Sequence, residues 1–302
     1  MKHLYFVLTA RCNEKCKICP RMNIDRISDI DTNTVLARLK DTIQRNNITD
    51  ITISGGEPSL HSGFGDVLRF LDQMNIETVV LSNSIRFQNQ QFTKDTFGSI
   101  THKDHFRLVS AIHSLKSEIH DNLTGVQGSM EKTVQGLTNV RALGISVEVK
   151  CVIGCHNRTE LPNYPEWVSR TIGKDSFLLF CGMDYAGMDR SLINCYKSNL
   201  LDIRPYLEQA LEHGVIWLQT GHVKVGELPL CVLDPYYWGT VNKPFKSQGI
   251  YNDSHWKKET ESVPDIWPMT EECRRCKVKP FCNGIWSAQY KEYRESTVRA
   301  FI

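Results

Sequence analysis

Apolar residues along this chain fall into two alternating kinds of segment. Short runs rich in β-branched and aromatic residues read as strands: Leu4 to Thr9, Asp50 to Ser54, Glu77 to Ser82, Phe106 to Ile112, Ser146 to Ile153 and Phe177 to Cys181. Between them apolar positions recur every three or four residues, the period of a helix with one buried face. Val35, Leu36, Leu39 and Ile43 mark one such helix over residues 32–46, and Phe64, Val67, Leu68, Leu71 and Met74 the next. A third, Ser129 to Leu143, carries Met130, Val134, Leu137 and Val140 on one face and stops at Gly144. Leu200 to His213 is a further helix.

This alternation predicts parallel strands joined by right-handed crossovers. Six such units make an α/β fold, an open, partial (β/α)6 barrel. Folds of that kind place their chemistry at the carboxyl ends of the strands. The unusual features of this chain fall at those ends. Cys12, Cys16 and Cys19 follow strand one, and Gly55-Gly56-Glu57-Pro58 follows strand two. Ser82-Asn83 and His113-Ser114 follow strands three and four, Cys155 lies just past strand five, and Cys181 ends strand six.

Past about residue 220 the periodicity breaks. The stretch 221–302 is rich in aromatics, Pro and Cys, and reads as a small annex organised by its cysteines beside a barrel of residues 1–220. Tyr236, Tyr237, Trp238, Trp256 and Trp267 are expected to pack that annex. The chain of 302 residues carries a net charge of only +2 and no Lys/Arg stripe, which argues against nucleic acid as a partner. An apolar fraction of 41% fits a folded protein. No apolar run reaches the roughly 20 residues that span a bilayer. The run from Leu4 to Ala10 is at the short limit for a signal peptide and leads straight into cysteines, so the expected compartment is the cytoplasm. Disulfides are rare there, and the total of 11 cysteines is odd.

The cysteines sort by spacing. Cys12, Cys16 and Cys19 form C-x3-C-x2-C; Cys273, Cys276 and Cys282 form C-x2-C-x5-C, with Cys231 upstream. Thiolates so spaced converge on one metal centre because a short loop wraps around it. Structural zinc normally closes with four ligands. Three cysteines leave one iron of a cubane open to substrate, or they require a fourth zinc ligand such as His61 or His113. The other four divide into a core residue, Cys151, two loop thiols, Cys155 and Cys195, and Cys181 at the mouth of strand six. His61, His113 and His120 read mainly as hydrogen-bonded structural residues. Glu148 and Asp184 read mainly as solvated or paired carboxylates, with a polar-substrate role as the other option.

The loop Cys12-Asn13-Glu14-Lys15-Cys16-Lys17-Ile18-Cys19, followed by Ser54-Gly55-Gly56-Glu57-Pro58, resembles the radical SAM enzymes. The resemblance spans most of residues 4–220. It implies that Cys12, Cys16 and Cys19 hold a [4Fe-4S] cluster whose open iron binds S-adenosylmethionine through its amino and carboxylate groups. It further implies that Gly55, Gly56, Glu57 and Pro58 line the methionine end, with Gly56 and Glu57 at the amino group and the glycines admitting close backbone approach. Ser82 and Asn83 are candidates for the ribose. Ser110 and Lys150 are further candidates, Lys150 for the methionine carboxylate. A flavodoxin- or ferredoxin-type protein would supply the electron.

The C-terminal part narrows the resemblance. Leu230-Cys231-Val232-Leu233-Asp234, Trp238 and the Cys273/Cys276/Cys282-x-Gly284 run look like the maturase of the His-Xaa-Ser peptide system. His120-Asp121, Gly128-Ser129, Thr133 and Gly136-Leu137-Thr138-Asn139 look similar too. The likeness implies an auxiliary [4Fe-4S] cluster on Cys231, Cys273, Cys276 and Cys282, with a zinc-ribbon-like site as the alternative. Asn283 stands where a second Gly is expected, and the start close to strand one leaves no room for an N-terminal peptide-binding domain. The substrate thus stays open between a ribosomal precursor peptide and a small polar metabolite of aminoglycoside or nucleoside type, processed by an epimerase or dehydrogenase. Cys181 is a candidate hydrogen-atom donor to a substrate radical. A non-catalytic iron–sulfur or zinc protein is the reading from another class.

Overall fold

A computed structural model describes residues 2–21, 29–242, 249–252, 259–262, 269–282, 284–285 and 300–301. The strands are β1 (Lys2–Thr9), β2 (Ile48–Gly55), β3 (Glu77–Leu81), β4 (Phe106–Ala111), β5 (Ser146–Val152), β6 (Phe177–Cys181), β7 (Val223–Gly226), β8 (Gly249–Asn252) and β9 (Glu259–Ser262). The helices are α1 (Thr32–Asn46), α2 (Phe64–Gln73), α3 (Gln90–Phe97), α4 (Ser117–Thr124), α5 (Ser129–Ala142), α6 (Tyr164–Thr171), α7 (Arg190–Tyr196), α8 (Leu200–Trp217) and the single turn α9 (Glu271–Arg274).

One sheet runs in the order β7-β6-β5-β4-β3-β2-β1-β8-β9. Strands β1 to β7 are all parallel, and it stays open, with β7 and β9 as its edges. The six expected strands are all present, and β7 adds a seventh beyond residue 220. On the other side β8 pairs parallel with β1, so residues past 220 extend both edges.

Strand alternation gives the sheet two unlike faces. Leu4, Phe6, Ile51, Ile53, Val80, Leu108, Val149 and Phe180 are at most 1% exposed and form the core under the helices. Each such side chain contributes ~1.5–3 kcal/mol by leaving water. The intervening positions carry Tyr5, Ser54, Arg107, Glu148, Lys150 and Cys181 on the opposite face. There Tyr5 donates to Ser54 Oγ at 2.7 Å, and Arg107 meets Glu148 at 3.2 Å. Tyr5 on β1 also lies within electrostatic reach of Lys150 on β5, which requires the polar face to be concave.

Among the described residues, no helix is long and apolar enough to cross a membrane. Trp238 packs as expected: its Nε1 donates to Leu230 O at 2.9 Å, and its ring meets Phe301 edge-on at 5.1 Å. Tyr237 donates to Glu212 at 2.6 Å and meets the ring of Tyr236 edge-on at 5.0 Å, although Tyr236 is 85% exposed. Trp256, Trp267 and Asn283 lie outside the described residues. Cys151 is core, at 0% exposure. Cys155 is an exposed loop thiol, but Cys195 sits on α7, where the carbonyl of the same residue accepts from Cys155 Sγ at 2.8 Å.

Candidate active site

The loop carrying Cys12, Cys16 and Cys19 leaves the end of β1 and docks on α4. Lys15 N donates to Thr124 O at 2.9 Å and Lys17 N to Leu123 O at 2.8 Å. This loop meets the end of β2 through backbone, Gly56 N donating to Thr9 O at 2.8 Å and Glu57 N to Arg11 O at 2.7 Å, and the Arg11 guanidinium donates to Leu60 O just beyond. A Cβ on Gly55 would lie 2.2 Å from Thr9 O, and one on Gly56 would lie 2.2 Å from Arg11 O. Within the chain, then, the two glycines serve the contact between the Gly-Gly segment and the root of the cysteine loop.

Glu57 is fully buried and organises the next strand end. Its carboxylate accepts from Ser59 N at 2.9 Å, Ser82 Oγ at 2.8 Å and Asn83 N at 2.7 Å. Burial raises its pKa, and these donors oppose the rise. Asn83 Nδ2 in turn donates to Asn13 Oδ1 at 2.7 Å, returning the network to the cysteine loop. Ser110 bonds Ser84 Oγ at 2.5 Å and lies on the helix-covered face. The hydroxyls of Ser82 and Ser110 are therefore engaged in holding the turn after β3.

The same turn explains the α4–α5 residues. Thr133 donates to Asn83 O at 2.8 Å, and Asn139 to Phe87 O at 2.9 Å. A Cβ on Gly136 would lie 2.2 Å from Ser84 O. Asp121 accepts from Ser129 Oγ at 2.9 Å and Met130 N at 3.0 Å, which fixes the entry to α5.

Three half-buried thiols share the first loop. Glu14 lies among them, accepting from Cys16 Sγ at 3.3 Å, while its amide donates to Cys12 Sγ at 3.4 Å. Burial pushes Cys12 up to about 11, raises Cys16 and Cys19 as well, and lifts Glu14 to about 7. A coordinating metal deprotonates such thiols outright. The donor set, three soft sulfurs on a loop held at its root and at its middle, fits an iron–sulfur cluster. Among the described residues, no group of three or more His, Cys, Asp or Glu side chains is gathered as one metal ion would hold them.

The histidines proposed as a fourth zinc ligand are elsewhere. His61 has both ring nitrogens engaged, with Ile30 O at 2.9 Å and Gly63 N at 3.0 Å. His113 stacks on His120 at 5.6 Å. His113 Nδ1, His120 Nε2 and both ring nitrogens of His156 are buried without a protein partner. His61 thus has the hydrogen-bonded role expected of it, and His120 has it through one ring nitrogen.

His120 Nδ1 accepts from His113 N at 3.1 Å, and burial holds its pKa at about 4, below the ordinary 6.5. The unfolded chain binds a proton between those values that the folded protein refuses. Stability should therefore fall as pH drops from about 6.5 towards 4, by about 2 kcal/mol at pH 5 from this residue. His120→Asn keeps the acceptor and removes the titration. Denaturation at pH 7 and pH 5 should show the variant losing about 2 kcal/mol less on acidification than wild type; equal losses would refute the assignment.

Sequence reasoning missed several residues. Glu160 accepts from Ser114 Oγ at 2.8 Å and Leu115 N at 2.8 Å, and Asn157 donates to His113 O at 2.9 Å. Together they fix the end of β4 from the loop after β5; an Asn and a Glu three apart after a strand were the available signal. Glu227 had no local signal. It is left-handed, with φ 57°, and places its carboxylate 3.9 Å from Lys150 Nζ. Cys181 is buried beside that pair; burial pushes its thiol up to about 12, while Cys181 and then Glu227 raise Lys150. Glu148 is paired with Arg107, as a bland reading expects, and Asp184 accepts from Ala186 N at 2.9 Å.

The second thiol set also meets in one place. Cys231, Cys273, Cys276 and Cys282 line a small cavity together with Pro229, Met269 and Ile285. Gly284 N donates to Cys282 Sγ at 3.4 Å, and Thr270 Oγ1 lies 3.4 Å from Cys273 Sγ.

Comparison with known proteins agrees with this geometry. AlbA of Bacillus subtilis (strain 168), the antilisterial bacteriocin subtilosin biosynthesis protein, is 23% identical over 314 residues, covering 94% of this chain and 67% of AlbA. The mycofactocin maturase MftC of Mycobacterium tuberculosis is 22% identical over 168 residues, covering 55% of this chain and 41% of MftC. Among solved structures, Streptococcus suis SuiB bound to precursor peptide SuiA superposes with a TM-score of 0.67 at 13% identity, over 97% of this chain and 75% of SuiB. The anSMEcpe enzyme with bound AdoMet and Cp18Cys peptide gives 0.68 at 14% identity, over 99% and 92%. These two likenesses speak for the fold. The Radical SAM superfamily profile matches residues 6–163, more than half the chain and the span that holds both the cysteine loop and the Gly-Gly segment, so this chain belongs to the radical SAM superfamily.

Proposed function

We propose that this chain cleaves S-adenosylmethionine reductively and uses the resulting radical to modify a ribosomally made precursor peptide. The observation that carries this reading is the attachment of the loop that bears three half-buried thiols to the Gly55–Pro58 segment, at the end of a parallel sheet whose polar face carries Lys150 and the buried thiol Cys181. The names of AlbA and MftC, a bacteriocin biosynthesis protein and a maturase, point to peptides as the substrate class.

Cys12, Cys16 and Cys19 would hold the [4Fe-4S] cluster, which would supply the one-electron reduction that splits S-adenosylmethionine to methionine and a 5′-deoxyadenosyl radical able to take a hydrogen atom from substrate. The protein's own residues bind and orient. Gly55, Gly56, Glu57 and Pro58 shape the methionine end, and Asn83 lines the ribose side. Ser82 and Ser110 act by fixing the turn that carries Asn83. Lys150 pairs with the methionine carboxylate, a role for which Glu227 holds it ready. Cys231, Cys273, Cys276 and Cys282 hold an auxiliary [4Fe-4S] cluster, supported by their shared cavity. A flavodoxin- or ferredoxin-type protein supplies electrons. Cys181 gives the hydrogen atom of its thiol to the substrate radical, and the thiyl radical left behind takes one electron from that carrier protein and a proton from solvent.

The test is anaerobic turnover of reconstituted protein with S-adenosylmethionine, reductant and a precursor peptide encoded beside its gene. The expected result is 5′-deoxyadenosine together with a peptide changed in mass, or labelled by deuterium from solvent. Cys181→Ala should keep 5′-deoxyadenosine and lose the product. Turnover that alters a small metabolite and leaves every peptide unchanged would overturn the substrate class, and unchanged product from Cys181→Ala would remove its role.

A further inference from the structure

The four-cysteine cavity lies beneath an exposed basic surface. Arg274 and Arg275 sit between Cys273 and Cys276; Lys277, Lys279 and Phe281 sit between Cys276 and Cys282. All five are exposed, Phe281 at 79%, while Cys276 and Cys282 are only half-buried. Glu271 and Glu272 neutralise part of the charge through ion pairs of 3.1 Å to Arg274 and 2.7 Å to Arg275. Over residues 269–282 the four cations still outnumber the two anions. Phe281 stands in the same short segment as these exposed cations and leaves its ring in water. Positive charge beside a redox-type thiol set steers an acidic protein into contact, and an aromatic supplies the desolvated centre of a small interface.

We propose that Arg274, Arg275, Lys277, Lys279 and Phe281 form the docking surface for an acidic one-electron carrier protein. The inference rests on the auxiliary-cluster reading of the four cysteines. One electron leaves the carrier, which is oxidised by one unit, and the cysteine-held centre is reduced by one; no covalent bond changes. Docking here puts the carrier within a few residues of Cys276 and Cys282. The weak, transient complexes of this class depend strongly on ionic strength.

The experiment uses the holoprotein, shown by iron analysis to carry about eight irons, and a flavodoxin of net negative charge as the probe. Affinity is measured by titration at several salt concentrations for wild type, for Arg274→Glu with Lys277→Glu, and for the milder Arg274→Gln with Lys277→Gln. Lys94→Glu with Lys174→Glu, on exposed positions of α3 and the loop after α6, serves as a charge control. The expected result is at least tenfold weaker binding for the Glu pair and an intermediate loss for the Gln pair, with the control near wild type. Dithionite-driven S-adenosylmethionine cleavage should not change in either pair. Unchanged affinity, an equal loss in the control, or a loss confined to an acidic precursor peptide would overturn the docking surface. A count of about four irons with one zinc would instead overturn the cluster reading on which it stands.

Discussion

Replacing Cys12, Cys16 and Cys19 together by Ala should abolish 5′-deoxyadenosine formation and lower the iron content from about eight to about four per chain. The loss is expected to be complete. These thiols are the only soft donors on the loop between Thr9 and Arg21, and no other described side chain replaces them: His61 is bonded through both nitrogens, and His113 is turned to His120. The fold should survive, because the loop is attached through backbone groups of Lys15, Lys17, Gly56 and Glu57 rather than through the sulfurs. Three alanines also remove half-buried thiols whose ionisation burial opposes. Iron and sulfide analysis with chromatographic detection of 5′-deoxyadenosine checks both halves. Cleavage persisting in this variant would contradict the assignment of the cluster.

Glu57→Gln should slow cleavage at least tenfold and destabilise the protein by about 3 kcal/mol, while leaving the iron content unchanged. The carboxylate offers acceptors on both oxygens, to Ser59 N and Ser82 Oγ on one and Asn83 N on the other. An amide keeps one oxygen and turns the other position into a donor, which then faces a buried donor. The cost of an unmade hydrogen bond in a buried site applies on that side. Released from Glu57, Asn83 shifts, and with it the 2.7 Å bond to Asn13 on the cysteine loop. Denaturant unfolding measures the first effect and the rate of 5′-deoxyadenosine formation the second. A variant of unchanged stability and rate would show that Glu57 is not the joint between strand ends described above.

Both expected results draw on positions that the linear pattern had already singled out, for a reason that lies in the fold. Parallel strands bring every crossover's start to one side of the sheet. A motif placed after strand one and another after strand two must therefore become neighbours. Cys12 and Gly56 are 44 positions apart in the chain, yet the β1–β2 register sets Thr9 beside Gly55. Local spacing was likewise enough for three of the annex thiols, because Cys273, Cys276 and Cys282 lie within a single short turn-rich segment, while Cys231 reaches their cavity from a separate one.

Other features were not legible in this way. Ser110 shares a strand with residues of the active end, but strand alternation turns it towards the helices, where Ser84 takes its hydroxyl. Glu227 follows a seventh strand that was read as part of the annex, so nothing local linked it to Lys150 on β5. The buried ring nitrogens of His113, His120 and His156 come from the ends of β4 and β5 and from α4, three segments whose mutual approach has no period in the chain.

The sequence by itself determined the strand and helix alternation, the parallel sheet and the two thiol sets, since periodicity and short spacings are local properties of the chain. Only the tertiary structure decided which polar side chains face the concave surface, which are bonded away inside it, and that Glu57, Asn83 and Asn13 form one connected network. Those outcomes depend on the pairing of remote buried groups, and a buried polar atom takes whichever partner the packed elements bring within hydrogen-bond reach.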